Sequence, residues 1–314
     1  MANVDRRPRV VVAGAGAFGT KHIRVLAGRP DAELVGIADT NLDRARQAAE
    51  DHGVPNVSAD AAALISDLAP DGVVVATPGH THRDLAVAAL RAGAHVLVEK
   101  PVAMTAAEVD DIAAARGTAT VLPGHILRFS RAHREVARIA RSGALGPIMS
   151  VTSRRYRDAS HIEAYPDIDP VFLTMIHDID LALWLTGEPP ERIWAARTSD
   201  APRHGETRMT GITPSGTIWT LSTAWTFDTA ATPPDRLEIV GERGLVEWDA
   251  GRGITTVGVE LPPPVTDSEE ELLGAELGHF IECIVTGEPS DVVTLEEARV
   301  GIAIAEEIVG CLSS

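Results

Sequence analysis

Val10-Val11-Val12-Ala13-Gly14-Ala15-Gly16-Ala17-Phe18-Gly19 decides the fold of this chain. A short apolar run passes without a break into Gly-x-Gly-x-x-Gly, and a helix-like stretch, 20–27, begins at once. A buried parallel strand, a glycine turn and a helix in that order make a βαβ unit that binds a dinucleotide. The free N–H groups and the dipole of the helix N-terminus face its pyrophosphate. Gly14 permits the tight turn, Gly16 lets the backbone approach the phosphates, and Gly19 lets helix and strand pack closely. Ala15, Ala17 and Phe18 complete the turn and count among the expected cofactor contacts.

Working outward, a second strand, 33–39, ends in Asp39, about 20 residues beyond Gly19, where an acid meets the ribose hydroxyls. Asp39 would also repel the 2′-phosphate of NADP, and Thr40 and Asn41 follow it rather than an arginine, so NAD is favoured over NADP. Asp39 serves equally as a cap for the helix over 42–51. Strands at 72–76, 95–99 and 120–123 alternate with helices at 61–68, 83–92 and 106–116, which predicts a doubly wound parallel sheet covered on both faces. Ligands of such sheets lie at the carboxyl ends of the strands. Two marked segments fall there, Ala76-Thr77-Pro78-Gly79-His80-Thr81-His82 and Val98-Glu99-Lys100-Pro101.

Composition removes several function classes. The 314 residues suffice for two domains, and no apolar run approaches the ~20 residues needed to cross a bilayer. The first nine residues lack the apolar stretch of a signal peptide. Cys283 and Cys311 form no disulfide framework, so a cytoplasmic location is expected. A net charge of −17, from 28 basic and 45 acidic residues, argues against nucleic acid or an anionic membrane as partner. Of the 28 basic residues 26 are Arg, and only Lys21 and Lys100 are Lys. Arginine keeps its proton, whereas a buried lysine exchanges one. Lys100 is therefore the candidate acid/base: Pro101 donates no N–H and ends the strand there, and burial beside a cationic nicotinamide favours the neutral amine. Thr77 and Pro78 would shape the nicotinamide side, and His82 either opens its helix or makes a weak cofactor contact.

The division is expected at 1–123 and 124–314. Residues 128–157 hold eight arginines and one acid, Glu135. Arg131, Arg134, Arg138 and Arg141 recur at helical spacing and suit a solvated face. Arg128, Arg154, Arg155 and Arg157 lie beside apparent strands, 126–129 and 148–156, where a guanidinium fork suits a substrate phosphate or carboxylate. Structural ion pairs explain them equally well. A helix beginning near Pro170 puts Leu173, His177, Leu181 and Trp184 on one stripe, with Asp180 at its edge. His177, Asp178 and Asp180 make a poor metal set, since no further ligand is evident, and no metal is expected. From 191 to 259 short strands alternate with Gly and Pro turns, the pattern of an antiparallel sheet. Trp194, Trp219, Trp225 and Trp248 on those strands would make one face apolar enough to pair subunits into a homodimer or homotetramer. Helices over 269–285 and 294–312 close the chain, the second opening on the capping box Thr294–Glu297.

On these motifs the chain resembles the Gfo/Idh/MocA oxidoreductase family: the glycine turn, Ala76-Thr77-Pro78 with His82 beyond it, Glu99-Lys100-Pro101, Gly143-Ala-Leu-Gly146 and His177-x-x-Asp180. The resemblance implies a Rossmann domain followed by an α+β domain on an open, mostly antiparallel sheet. It also implies hydride transfer between a nicotinamide and a hydroxyl or keto carbon of a sugar, amino sugar (free or nucleotide-linked) or cyclitol. Lys100 and His177 then occupy the places of the catalytic lysine and histidine, Glu99 stands beside the cofactor, and Asp180 joins the substrate side. Relatives carry an aspartate one turn before the histidine, where this chain has Leu173. The contrasting expectation is a non-catalytic NAD(H)-binding sensor or partner subunit that kept the fold.

Overall fold

Val10–Val12, Val73–Val75 and Val96–Val98 are buried on both faces, which is why these strands read as unbroken apolar runs rather than alternating ones. The computed structural model describes residues 6–198, 205–228 and 232–312. The chain forms two compact units, one of Met1–Ile126 with Ser268–Arg299 and one of Leu127–Asp267 with Val300–Ser314.

The first unit runs β1 (Arg9–Ala13), α1 (Gly19–Ala27), β2 (Glu33–Ala38), α2 (Leu42–His52), β3 (Asn56–Ser58), α3 (Ala61–Leu68), β4 (Gly72–Val75), α4 (His82–Arg91), β5 (His95–Glu99), α5 (Ala106–Ala115) and β6 (Val121–Gly124). The sheet is parallel in the order β3-β2-β1-β4-β5-β6. The order reverses between β1 and β4, the switch point where such sheets open a ligand crevice. Polar side chains start the helices: Asn41 accepts from the Arg44 N–H at 3.3 Å, Asp60 from that of Ala63 at 3.0 Å, and Thr105 with Glu108 forms a capping box. Only β3 escapes the sequence, because three residues carry no period to read.

The second unit contains α6 (Arg131–Arg141), β7 (Ile148–Asp158), α7 (Ser160–Ala164), α8 (Ile176–Thr186), β8 (Arg192–Arg197), β9 (Thr207–Ile212), β10 (Ile218–Phe227), β11 (Arg236–Gly241), β12 (Gly244–Asp249) and β13 (Gly253–Val257). The sheet runs β13-β12-β11-β7-β10-β9-β8, antiparallel except for the β7–β10 pair. Two expectations change. Residues 126–129 are a 3₁₀ turn, not a strand. Of the four strand tryptophans, Trp219 and Trp225 are fully buried, Trp248 stacks on His133, and Trp194 alone is largely exposed, at 52%. The cross-strand row on Trp194's face reads Trp194, Thr210, Thr220, Thr152, Glu238, Glu247, Thr255. That row is polar but for its end. The next row on the same face, Arg192, Ile212, Ile218, Ser150, Val240, Leu245, Val257, is mostly aliphatic, with Ile218 and Val257 exposed. The face's apolar character therefore comes from aliphatic residues rather than from the tryptophans.

The chain does not divide at a single point. α9 (Glu269–Thr286) returns to the first unit, since its stripe of Leu273, Leu277, Phe280 and Ile281 is buried there. A Cβ on Gly72 would meet Ile284 at 2.6 Å and Phe280 at 3.2 Å, so β4 needs its glycine to admit the helix. α10 (Leu295–Leu312) follows. Among the described residues no helix is long and apolar enough to cross a membrane.

Candidate active site

The glycine turn has the shape the motif demands. Gly14 sits at φ +104°, and a Cβ on it would lie 2.3 Å from the Ala76 carbonyl oxygen. A Cβ on Gly19 would fall 2.0 Å from the Gly14 oxygen. Both positions require glycine for the turn itself. Gly16 differs: a Cβ there would meet nothing nearer than an Arg44 nitrogen at 4.0 Å, so its side of the turn is open to an approaching ligand. α1 then begins with no side-chain cap on Phe18 and no acid in its first turn, the condition of a helix N-terminus able to receive phosphate. These residues fit an NAD pyrophosphate.

Asp39 stands where the sequence puts it, but it is already engaged. One carboxylate oxygen accepts from the Ala15 N–H and the other from the Asn41 N–H, each at 2.8 Å. An ionised carboxylate has about four acceptor positions, so ribose hydroxyls remain within its capacity. The sequence reading missed Arg44, five residues on, whose guanidinium lies 3.9 Å from that carboxylate. The signal was its place in the first turn of α2, the helix that follows Asp39.

At the ends of β4 and β5, His82 corrects its expected role. It is buried, with Nδ1 2.7 Å from the Pro101 oxygen and Nε2 2.7 Å from the Thr77 oxygen. Burial lowers its pKa against the pull of those carbonyls, and a neutral ring donates to only one of them. His82 is thus a strut between the two marked segments rather than a cofactor contact. The Thr77 hydroxyl pairs with that of Thr81 at 2.7 Å, which fixes the turn Pro78 opens.

Glu99 likewise faces inward. Its Oε1 lies 2.6 Å from Nε2 of the fully buried His22, and its Oε2 accepts the Lys100 backbone N–H at 3.2 Å. Gly124, paired with Glu99 across β5–β6, leaves room for that carboxylate: a Cβ there would lie 3.2 Å from Oε2. Glu276 of α9, also fully buried, brings a second carboxyl, and the ligand atoms of His22, Glu99 and Glu276 lie within 4.8 Å of one another. Burial, and after it the Glu99 charge, raises the Glu276 pKa well above the ordinary 4.5, which favours its protonated form. Lys100 follows Glu99 directly and is half-buried.

The second unit engages most of the residues expected to touch substrate. Arg128 is 1% exposed and its Nε and Nη2 donate to Asp180 at 2.8–3.1 Å. Arg155 is buried and reaches Asp178 at 3.1 and 3.2 Å and Asp235 at 2.6 Å. Arg157 completes the Asp235 pair at 2.8 and 3.0 Å. The two acids raise the Arg155 pKa against its burial, and the two arginines hold Asp235 below the ordinary value against its own. Arg128, Arg155, Arg157 and Asp180 are therefore structural ion pairs, because each carries its counter-charge inside the fold. Arg154 points to the other face of β7, over the Tyr156 ring at 5.5 Å. His177 is half-buried on α8, just after a π-helical turn, Val171–Met175, that includes Leu173.

An open glycine cradle at the switch point of a 3-2-1-4-5-6 sheet defines an NAD-binding Rossmann protein. The family description "Oxidoreductase family, NAD-binding Rossmann fold" matches residues 8–122, and "GFO/IDH/MocA C-terminal domain" matches residues 133–247. The chain belongs to the GFO/IDH/MocA oxidoreductase family. It is 30% identical to Inositol 2-dehydrogenase 2 of Saccharopolyspora erythraea over 96% of this chain and 91% of that protein. With Inositol 2-dehydrogenase 1 of the same organism it shares 35% identity over 62% of this chain and 59% of the relative. The fold is that of myo-inositol 2-dehydrogenase from Lactobacillus plantarum, with a TM-score of 0.85 at 21% identity over 98% of both chains.

Proposed function

We propose that the chain is an NAD-dependent dehydrogenase that oxidises a secondary hydroxyl of an uncharged cyclitol or sugar to the ketone. One observation carries the catalytic part: Lys100, one of two lysines in a chain that otherwise chooses arginine, stands at the carboxyl end of β5, its backbone fastened to a buried Glu99–His22 pair. Bound NAD supplies a hydride acceptor. Gly14, Gly16, Gly19 and Asp39 hold it. Lys100, as the neutral amine, takes the hydroxyl proton while the carbon gives up its hydride, and returns that proton to water afterwards. His177 hydrogen-bonds a substrate hydroxyl.

An uncharged substrate is favoured because Arg128, Arg155 and Arg157 already neutralise internal acids. The relatives' names, inositol 2-dehydrogenase, support a cyclitol ahead of a nucleotide-linked sugar. The test is the appearance of NADH with inositol stereoisomers, neutral sugars, sugar phosphates and nucleotide sugars. Turnover of a neutral polyol is expected. Turnover of phosphorylated substrates alone would overturn the substrate class, and tight NAD binding without turnover of any would favour the non-catalytic sensor.

A further inference from the structure

Dinucleotide sites choose between NAD and NADP by the group at the end of the second strand: an acid repels a 2′-phosphate and a guanidinium attracts it. This chain brings both to one place. Asp39 follows β2, and Arg44 in the first turn of α2 lies 3.9 Å from it. They are unequally available. The Asp39 side chain is 9% exposed and both of its oxygens accept backbone N–H groups. The Arg44 side chain is 55% exposed, and the Asp39 contact is its one ion pair among the described residues.

Arg44 also lines a pocket of about 360 Å³ together with Ala15, Gly16, Ala17 and Thr20. Its Nη1 is the atom nearest to the open side of Gly16. The base of the side chain is fixed, since the Arg44 N–H donates to the Asn41 cap. Gln47, Asp51 and His52 line the same pocket, in which Arg44 is the only arginine or lysine.

We infer that Arg44 is the cofactor-discriminating residue of this chain. It offsets Asp39 and offers a 2′-phosphate a guanidinium fork, so NADP(H) binds within about tenfold of NAD(H) rather than being excluded. The inference rests on the NAD-binding reading of this unit and says which ribose it accepts.

Calorimetric titration with adenosine 2′,5′-bisphosphate and with 5′-AMP isolates this half of the cofactor from hydride transfer. The wild-type protein should bind the bisphosphate within about tenfold of AMP, with the bisphosphate losing more affinity than AMP as salt rises. Arg44→Gln, on an exposed helix position, should weaken the bisphosphate by about tenfold or more and AMP by less than about threefold. The same variant should widen the preference for NAD over NADP by a matching factor, and Arg44→Lys should recover part of it. Equal losses for both nucleotides in Arg44→Gln would overturn the assignment, as would bisphosphate binding more than about tenfold weaker than AMP in the wild type. Failure of AMP, NAD and NADP alike to bind the wild type would remove the cofactor reading itself, and this inference with it.

Discussion

Arg44 and Arg155 are the same residue put to opposite uses in the two units. Arg44 is largely exposed beside one acid and faces a pocket, whereas Arg155 is buried and ion-paired to two acids. The difference does not lie in the local sequence, since both sit among charged neighbours. It lies in where the counter-charge comes from: Asp39 is five residues from Arg44, while Asp178 and Asp235 are 23 and 80 residues from Arg155. An arginine cluster therefore says little about ligands until its distant acids are known.

The largest expected effect tests that contrast directly. Arg155→Met strips Asp178 and Asp235 of their shared partner and should cost about 3–5 kcal/mol, the usual consequence of leaving buried charge uncompensated. Arg154→Gln, on the other face of β7, should stay within about 0.5 kcal/mol. Denaturant unfolding of both variants checks this. A stable Arg155→Met protein with a raised KM would return the cluster to the substrate.

Lys100→Met comes next. Turnover should fall about a hundredfold or more, roughly 2.7 kcal/mol in the barrier, while NAD affinity measured by titration barely moves. Lys100→Arg should not restore activity, because arginine cannot release the proton. A fully active arginine variant would reduce the lysine to a fixed charge.

Legibility followed contiguity. The glycine turn, Asp39 and Glu99-Lys100-Pro101 are local signals, each a strand end and the turn after it, and the structure places them at the carboxyl ends of one parallel sheet. Within that sheet the sequence missed what requires a third partner: His22 beneath Glu99, Glu276 arriving from α9, and Arg44 over Asp39. In the second unit the strands were readable from their turns. The destinations of Arg128, Asp180 and Arg155 were not, because a charge shows its burial only when its partner is folded against it. The tryptophans misled for a related reason. Alternation tells which residues share a face but not which face is covered, and Trp219 and Trp225 turn to the covered side.

The two units also differ in the pH at which they weaken. Glu276 in the first has a folded pKa raised above 4.5. Below that value both folded and unfolded chains are protonated there. Above it the unfolded chain sheds the proton first, so stability falls with rising pH by up to about 1.4 kcal/mol per unit. His133 in the second is pushed down to about 3, by burial first and then by Arg155. Its unfolded form binds a proton below the ordinary 6.5 while the folded form does not, so stability falls as pH drops from there toward 3. Glu276→Gln should flatten the alkaline slope and His133→Leu the acidic one, read from unfolding midpoints across pH. A slope unchanged by its own variant breaks the corresponding half.

The smallest expected effect concerns His177. It is one residue from Asp178 and three from Asp180, and arginines engage both of those acids. Leu173, in the π-helical turn before α8, brings no carboxyl one turn before the histidine. With Lys100 as the proton carrier, His177 is left the part of a hydrogen-bond partner for a substrate hydroxyl rather than that of the main proton transfer. His177→Ala should then lower kcat by about tenfold, clearly less than Lys100→Met. Leu173→Asp supplies the carboxyl and should shift the pH–rate profile while leaving the protein folded, since residue 173 is not fully buried. If His177→Ala proves as damaging as Lys100→Met, His177 does more than hold a hydroxyl, and ranking the lysine above it is wrong.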